Sequence, residues 1–274
     1  MAGSRIPTAL TIAGSDSGGG AGIQADLKTF HAFGVYGTSV VTAVTAQNTL
    51  GVYAVHVIPS ETVRAQIRAV TEDLRPNALK SGMLATKDLV VVVGESIREA
   101  GLGNYVLDPV MVASSGNRLL EPDAETALAR TLLPAATLVT PNLHEAALLT
   151  GKPVDSMDRM RAAARALVEM GAKAALVKGG HLTSEEIIDV LWDGREERTW
   201  RHSRLETRNT HGTGCTLSSA VAAGLACGRP LADAVGDAID FVQRAIAAAP
   251  DLGRGHGPVS HFVPAPPHPA TPAG

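Results

Sequence analysis

The stretch Thr8–Gly22 (TALTIAGSDSGGGAG) decides the fold class of this 274-residue chain. Its apolar first part, Thr8–Ala13, enters a glycine-rich stretch and predicts a buried first strand. Apolar residues then recur at helical spacing after Gly22, which predicts a helix directly behind the glycine-rich loop. Strands and helices continue to alternate along the chain. We therefore predict an α/β domain with a mostly parallel sheet that helices cover on both faces.

The later elements are predicted from β-branched runs, helical periodicity and capping residues. Further strands are expected at Thr38–Thr45, Asn77–Lys80, Tyr105–Leu107, Thr137–Val139 and Ala174–Val177. Helices are expected after Ser60 and Thr86, over Met157–Met170, and from near Thr213 and near Leu231. An antiparallel hairpin is predicted from Ile187–Trp192 and Arg198–Leu205, which are joined through Asp193-Gly194.

The chain shows no internal repeat and no Pro/Ser-rich linker in its middle, so one domain is predicted over residues 8–263. Residues 1–7 form an N-terminal extension in this division. Residues 264–274 (PAPPHPATPAG) have the low complexity of a disordered tail. The polar, glycine-containing segment Ala113–Asp123 (ASSGNRLLEPD) predicts a mobile loop or small flap.

The composition argues against several classes of function. A formal charge of −3 and only 3% aromatic residues disfavour a nucleic-acid-binding face or a base-stacking platform. No apolar run approaches the roughly 18 residues that a membrane helix needs. The two cysteines, Cys215 and Cys227, predict neither a disulfide framework nor a zinc site. Met1–Pro7 lacks the apolar core of a secretory signal, so we expect a cytoplasmic protein without membrane or nucleic-acid partners.

The segment Thr210–Cys215 (THGTGC) says most about chemistry. Its two glycines allow a close backbone approach, and it opens an Ala-rich helix whose first amides can bind phosphate or a developing oxyanion. Cys215 lies in the first turn of that helix, where we expect the pKa of its thiol to fall. The structural alternative is a glycine-rich helix start with a small buried cysteine. Cys227 has no comparable setting and is expected to serve packing.

The loop Gly14–Gly22 also indicates a ligand. Four of the five residues from Gly18 to Gly22 are glycines, and the entropy that they lose on folding is more than a simple turn requires. The loop lacks the GKS/T of a Walker A motif and the GxGxxG register of a dinucleotide fold. A flexible turn is the alternative. Asp26, one helical turn beyond the loop, is by itself expected to be a solvated first-turn charge.

Three oxygen-bearing side chains follow predicted strand ends, where ligands bind in open α/β sheets. Asp108, Asn142 and Glu145 can together hold Mg²⁺ through oxygens and waters. An N-cap Asn142 with a capping Glu145 three residues later is an equal alternative, and both can hold at once. Lys178, which two glycines follow, can reach nucleotide phosphates or remain an ordinary solvated charge.

Eight segments occur in an order that is similar to one known family. They are Gly14–Asp26 (GSDSGGGAGIQAD), Thr45–Thr49 (TAQNT), Ser81–Met83 (SGM), Asp108–Met111 (DPVM), Thr140–Ala146 (TPNLHEA), Val177–His181 (VKGGH), Asn209–Ser218 (NTHGTGCTLS) and Gly255–Phe262 (GHGPVSHF). Together they resemble the hydroxymethylpyrimidine/phosphomethylpyrimidine kinases of thiamine biosynthesis, members of the ribokinase-like superfamily. The resemblance runs from residue 8 to residue 263, and the GTGC segment in this context is specific.

The resemblance implies a fold, an activity and an assembly. The fold would be a three-layer α/β/α ribokinase-like domain with a small flap, and the protein would form homodimers. The activity would be transfer of a phosphoryl group from ATP to 4-amino-5-hydroxymethyl-2-methylpyrimidine and then to its monophosphate. Mg²⁺ would be required, whereas the requirement for a monovalent cation stays open.

The resemblance also implies roles for individual residues. Gln47 would read the aminopyrimidine through its amide. The rest of the pyrimidine pocket would be lined by Gly14, Ala21, Asp26, Met83 and Val110. Mg²⁺ and the nucleotide would be served by Asp108, Glu145, Asn142 and Lys178. The transferring phosphoryl group would be held by the amides around Gly212, Thr213 and Gly214. Cys215 takes the position of the Asp base in many sugar kinases, and we hypothesise that it accepts the hydroxyl proton.

Three other functions are possible alternatives to this one. Some relatives that phosphorylate pyridoxal have a Cys at the position of Cys215 and a second Cys after the DPVM segment. This chain has Ala113 there, which favours a pyrimidine over pyridoxal as the main substrate. A non-catalytic pyrimidine sensor would not need Asp108, Glu145, Lys178 and Cys215 together. A Rossmann dehydrogenase is disfavoured because no GxGxxG follows Thr8–Ala13.

Overall fold

The computed structural model describes residues 6–112, 119–180 and 186–266. Within these ranges one sheet contains the strands β1 Thr8–Asp16, β2 Tyr36–Asn48, β3 Gly51–Val57, β4 Ala78–Ser81, β5 Tyr105–Leu107, β6 Leu138–Val139, β7 Ala175–Val177, β8 Glu186–Trp192 and β9 Glu197–Ser203. Their order across the sheet is β3-β2-β1-β4-β5-β6-β7-β8-β9. Pairing from β2 through β7 is parallel, whereas β3, β8 and β9 pair antiparallel with their inner neighbours.

Helices cover both faces of this sheet. Their bounds are α1 Gly22–Ala32, α2 Ser60–Asp73, α3 Lys87–Glu99, α4 Pro122–Thr131, α5 Leu143–Thr150, α6 Met157–Glu169, α7 Thr213–Ala226 and α8 Leu231–Ala247. Helices α1, α7 and α8 pack in one hydrophobic core, and α2 to α6 pack in the other. In the described part of the chain, no helix combines the length and the apolar character that crossing a membrane requires.

The two cores follow from the alternation of side chains along buried strands. On β5, Tyr105 and Leu107 contribute to the core beneath α2 to α6, whereas Val106 contributes to the core beneath α1, α7 and α8. A strand that is apolar on both faces is typical of a central parallel sheet. The predicted three-layer α/β/α architecture and its mostly parallel sheet are therefore confirmed.

The hairpin and the edges show where the sequence prediction was accurate and where it was not. The predicted hairpin is present as β8 and β9, with Asp189 opposite Trp200. Strand β3 was not predicted, and neither was helix α4. The predicted flap Ala113–Asp123 extends too far, because Pro122 begins α4, where a proline favours the first helical turn. Residues 113–118 of that segment lie outside the described ranges.

Two further predictions concern the ends of the domain. Residues 1–5 of the predicted extension and residues 267–274 of the predicted tail lie outside the described ranges. The division into an extension, a domain over residues 8–263 and a tail therefore stays a prediction. What positions the site is the parallel sheet, because the carboxyl ends of β1, β4, β5, β6 and β7 meet at one edge.

Candidate active site

A cleft of about 690 Å³ lies at the carboxyl ends of the parallel strands. It is bounded by the glycine-rich loop after β1, the loops after β4 to β7, the end of the β8–β9 hairpin and the start of α7. The predicted site residues on its wall are Gly14, Ala21, Gln47, Met83, Asp108, Val110, Asn142, Glu145, Lys178, Gly212, Thr213, Gly214 and Cys215. The fold thus gathers residues from seven separate sequence segments, and only Asp26 among those predicted is not on the wall.

The start of α7 packs directly against the glycine-rich loop. Gly212 has φ +83°, and a Cβ there would lie 1.8 Å from the carbonyl oxygen of Gly20. Both the backbone angle and the close approach therefore require glycine. A Cβ on Gly214 would lie 3.5 Å from Lys178 Nζ and 3.8 Å from Asp108 Oδ2, so the first turn of α7 faces these two charges.

Asp108 and Lys178 form an ion pair on the floor of the cleft. Lys178 Nζ lies 3.4 Å from Asp108 Oδ1, and the hydroxyls of Thr140 and Ser218 each donate to the same carboxylate at 3.3 Å. Burial alone would lower the pKa of Lys178, but the charges of Asp108 and Glu145 outweigh it and raise the pKa. Lys178 is therefore held as a cation beside the amides of α7.

Asn142 and Glu145 form the capping box that the sequence predicted as one of two alternatives. The backbone N–H of Asn142 donates to Glu145 Oε2 at 2.8 Å, and the backbone N–H of Glu145 donates to the side-chain oxygen Oδ1 of Asn142 at 3.0 Å. Both residues also lie on the wall of the cleft. Burial raises the pKa of Glu145 to about 7; Lys178 opposes this rise and Asp108 adds to it. The Glu145 carboxyl is thus partly protonated near neutral pH, and a positive charge beside it would favour the ionised form.

Cys215 differs from the prediction in its acidity. Burial raises the pKa of its thiol to about 11, and the charge of Lys80 only partly opposes this. Asp26 and Asp108 add to the rise, whereas an amide hydrogen bond from Gly22 lowers it. The predicted fall in the pKa of Cys215 at the helix start is therefore wrong, since desolvation and two carboxylates outweigh the helix dipole.

Asp26 also departs from both of its predictions. Its side chain is 0% exposed and lies behind the cleft, so it neither lines the pocket nor faces solvent. Lys80 Nζ donates to both carboxylate oxygens at 2.9 Å. The hydroxyls of Thr11 and Ser219 each donate at 2.6 Å. The reason is that α1 turns its buried face toward β1 and α7, and Asp26 lies on that face.

Sequence reasoning missed the polar lock formed by Asp16 and His211. Asp16 accepts from the amides of Gly18, Gly20 and Ala21 at 2.8 to 3.0 Å, and His211 Nε2 lies 2.8 Å from its Oδ2. Burial would raise the pKa of Asp16, but the hydrogen bond and charge of His211, with the loop amides, lower it below its usual value. A signal was available, because Asp before glycines commonly folds back onto following amides.

His211, which contacts Asp16, also contacts Gln47, the residue predicted to bind the pyrimidine. Gln47 Nε2 lies 3.3 Å from His211 Nε2, and Thr45 Oγ1 donates to Gln47 Oε1 at 3.2 Å. The assignment of nitrogen and oxygen in an amide follows from its hydrogen-bond partners. If His211 donates to Asp16, its Nε2 carries a proton and suits the oxygen of Gln47 better than the nitrogen.

A second missed group lies at the hairpin end of the cleft. Asp189 on β8 accepts from the Gly179 amide at 2.9 Å, and His202 Nε2 on β9 lies 3.1 Å from the other carboxylate oxygen. A Cβ on Gly179 would lie 2.0 Å from the carbonyl oxygen of Ile188, which explains the first glycine after Lys178. No local signal marks this group, since it depends on the register between β7, β8 and β9.

Comparisons with known proteins agree with this geometry. The family model described as phosphomethylpyrimidine kinase matches residues 16–260. Hydroxymethylpyrimidine/phosphomethylpyrimidine kinase of Rhizobium meliloti is 53% identical over 257 residues, covering 93% of this chain and 96% of that protein. The crystal structure of Bacillus subtilis pyridoxal kinase with ADP matches with a TM-score of 0.88 at 40% identity, over 94% of this chain and 98% of that chain.

The crystal structure of phosphomethylpyrimidine kinase from Clostridium difficile matches with a TM-score of 0.79 at 41% identity, covering 88% of this chain and 100% of that chain. The predicted family and the predicted ribokinase-like fold are confirmed by these matches. The family model spans most of the cleft residues, from Asp16 to His256. The chain is a kinase that belongs to the phosphomethylpyrimidine kinase family.

Proposed function

We propose that this kinase transfers the γ-phosphoryl group of ATP to 4-amino-5-hydroxymethyl-2-methylpyrimidine and then to its monophosphate. The product would be the pyrophosphate that is used for thiamine. The observation that carries the proposal is the convergence of the α7 start, Asp108 and Lys178 on one floor, with Gln47 on the wall of the same cleft. One ligand-sized space therefore offers an anion site and an amide reader together.

Phosphoryl transfer needs positioning and charge stabilisation more than covalent help from the protein. The backbone N–H groups at the start of α7 and the Lys178 ammonium would donate hydrogen bonds to the phosphoryl oxygens and stabilise their negative charge. Gly214 leaves space for that approach, because a Cβ there would face Lys178 and Asp108, whereas the missing Cβ of Gly212 makes room for the carbonyl of Gly20. These groups are already held in place by the loop contacts described above, so little reorganisation would be needed.

The donor set of the floor fits Mg²⁺. Asp108 and Glu145 are buried carboxylates, and Asp108 raises the pKa of Glu145 by its negative charge. A divalent cation would relieve that repulsion, and Mg²⁺ is commonly bound by one or two carboxylates together with substrate phosphates. Asp108 and Glu145 would hold the ion, which would neutralise developing charge on the phosphates. Asn142 would keep Glu145 oriented through the capping box.

The other end of the cleft supports a flat heteroaromatic substrate. Gln47 presents an amide there, which can donate to a ring nitrogen and accept from an exocyclic amine. Met83 and Val110 belong to an apolar cluster with Ala43 and Ala85, and both lie on the cleft wall. This combination of a few polar groups with an apolar wall is typical of small-molecule sites.

Cys215 is proposed as the acceptor of the hydroxyl proton. With the pKa of its thiol raised to about 11, the group is mostly protonated at neutral pH. Only the thiolate can accept a proton, and a general base works best when its pKa lies near the operating pH, so the role requires positive charge that lowers the pKa of the thiol. Lys80 supports that thiolate, since its charge lowers the pKa of Cys215.

The test is a coupled ADP-release assay with ATP and Mg²⁺, offering hydroxymethylpyrimidine, its monophosphate and pyridoxal in parallel. The Cys215→Ala variant is compared with Cys227→Ala, which changes a cysteine at the opposite end of α7. We expect turnover on both pyrimidines, little on pyridoxal, and loss only in Cys215→Ala. Retention of most turnover by Cys215→Ala would remove the proton-acceptor role.

Pyridoxal kinase is the second candidate, because a solved pyridoxal kinase shares this fold at 40% identity. Strong turnover on pyridoxal would favour it, and Ala113 would then be a poor discriminator. Residue 113 lies outside the described ranges, so the argument from it stays one of sequence. No turnover on any of the three compounds would favour a pyrimidine sensor.

Assembly and location belong to the same proposal. The family resemblance supports a homodimer, and exposed apolar side chains on the edge strand β3, Tyr53 and Val55, are consistent with a contact there. Light scattering of the purified chain would give twice the 28.3 kDa monomer mass for a dimer. A cytoplasmic location, which fractionation of cells would test, and a requirement for K⁺ or another monovalent cation, which the same assay would test, remain proposals.

A further inference from the structure

One buried ion pair has no part in the mechanism above. Lys80 on β4 and Asp26 on α1 are both 0% exposed, and Asp26 accepts four hydrogen bonds from Lys80, Thr11 and Ser219. Taking two charges out of water is unfavourable, and apolar replacements of such pairs often keep or raise stability. Stability alone therefore does not account for this pair, and its position in the fold points to another role.

The pair lies behind the first turn of α7. Gly22 and Asp26 are four residues apart on α1, and Cys215 and Ser219 are four residues apart on α7, so each set shares one helical face. The Ser219 hydroxyl donates to Asp26 at 2.6 Å, and the backbone amide of Gly22 lowers the pKa of the Cys215 thiol. The Ser219–Asp26 hydrogen bond, one helical turn beyond Cys215, therefore fixes α7 against α1 close to the thiol.

Lys80 adds charge to this arrangement. A Cβ on Gly82 would lie 2.8 Å from Lys80 Nζ, so the ammonium fills the space beside the turn that leads to Met83 on the cleft wall. Burial would lower the pKa of Lys80, but Asp26, Cys215 and Asp108 raise it well above its usual range. Lys80 therefore remains a cation, and its field acts on the Cys215 thiol.

We propose that Lys80 and Asp26 are positioning residues. Asp26 fixes α7 from behind the cleft through Ser219 and holds Lys80 in place, and the ammonium of Lys80 supports the thiolate of Cys215 more strongly than the Asp26 carboxylate opposes it. The inference rests on the proposed function, in which Cys215 accepts the proton of the substrate hydroxyl. It gives Asp26 a role through α7 and Lys80 in place of direct contact with the pyrimidine.

The test uses the nearly isosteric, uncharged double variant Asp26→Asn/Lys80→Met. We expect kcat to fall roughly tenfold to hundredfold, since misplacing a reacting group by about 1 Å can slow a reaction ~10²-fold. The KM values for ATP and for the pyrimidine should stay within about twofold, because neither variant residue contacts a substrate in its ground state. Alkylation of Cys215 by iodoacetamide at fixed pH should become slower relative to Cys227, which serves as a reference in the same molecule, because the lost support from Lys80 exceeds the lost opposition from Asp26.

Two further variants sharpen the result. Ser219→Ala breaks only the contact between the pair and α7, and it should lower kcat in the same direction by a smaller factor. Tyr105→Phe is the matched control, because it removes the buried 2.6 Å hydrogen bond to Ser81 on strands β5 and β4, away from the cleft wall. This control should leave both kcat and the alkylation ratio at the wild-type values.

Several outcomes would overturn the inference. A raised KM for the pyrimidine at unchanged kcat would mean that Asp26 contacts the substrate. Faster alkylation of Cys215 would mean that the pair only holds α7 in its fold. Failure of the proposed function is distinguishable, because it would appear in wild type as absent pyrimidine turnover, or in Cys215→Ala as retained turnover. The alkylation ratio tests the support of the thiolate in either case.

Discussion

Replacement of Glu145 by Gln tests whether the cleft gives up a proton when nucleotide binds. Glu145 is 5% exposed, and burial raises its pKa from the usual 4.5 to about 7, with Lys178 opposing and Asp108 adding to the rise. Gln keeps the shape of the side chain and an oxygen that can accept from the Asn142 amide, which donates at 2.8 Å. It cannot ionise, so the variant isolates the proton from the geometry.

The expected magnitude follows from the pKa. At pH 7 about half of the empty molecules carry a proton on Glu145. Binding of ATP with Mg²⁺ would bring positive charge to the carboxylate and hold it ionised. Binding should therefore release about 0.5 proton per site. Isothermal titration calorimetry at pH 7, in two buffers that differ in ionisation enthalpy, measures this number. In Glu145→Gln it should fall to near zero.

The stability of the empty protein gives an independent check. Because the pKa of this acid is higher in the folded state, the folded protein binds more protons than the unfolded chain between pH 4.5 and 7. The free energy of unfolding should therefore fall as pH rises through this window, by up to about 3 kcal/mol at ~1.4 kcal/mol per unit. Urea unfolding of wild type and Glu145→Gln measures the slope, with the exposed Glu61→Gln as control. Proton uptake on binding, or equal slopes in wild type and Glu145→Gln, would refute the reasoning.

Other substitutions test the loop contacts. Gly212→Ala should abolish turnover and destabilise the fold by at least ~1–2 kcal/mol, since φ is +83° and the new Cβ would meet Gly20. The control in thermal unfolding is Gly103→Ala, because a Cβ at that position has nothing within 4 Å. Asp16→Asn should reduce stability at pH 7 by about 1–3 kcal/mol and make acid unfolding shallower. The lowered pKa of Asp16 contributes stability above pH 3.8 that is lost as pH falls through the folded value. His211→Asn should raise the KM for the pyrimidine but not for ATP; an unchanged value would argue against the lock.

The position of the site was predictable because polar loops after buried strands meet at one edge of a parallel sheet. Lys178, Asp108 and the THGTGC segment could be placed there from the alternation of strands and helices alone. The capping box was predictable as well, since Asn142 and Glu145 are three residues apart. Local sequence carries each of these features, and the sheet brings them together.

Long-range partners explain what the sequence could not show. Asp26 looked solvated because its partner Lys80 is 54 residues away, and a buried charge is interpretable only with its counterion. The sign of the Cys215 pKa shift depended on burial and on Asp108, neither of which is visible in the helix-start pattern. Strand β3 was missed because it is an exposed edge strand without the apolar alternation of a half-buried one.

The contacts that complete the cleft join the glycine-rich loop to a segment almost two hundred residues away. His211 reaches Asp16 across 195 positions, and Ser219 reaches Asp26 across 193. Contacts of such separation form late, because the entropy of closing the loop must be met before they can contribute. During synthesis, the sheet from β1 to β7 can assemble before α7 completes the end of the cleft that we propose binds phosphate. Catalytic competence in this protein would then be the final event of folding. Enzymatic activity would therefore be a stricter test of complete folding than the helix content of the chain.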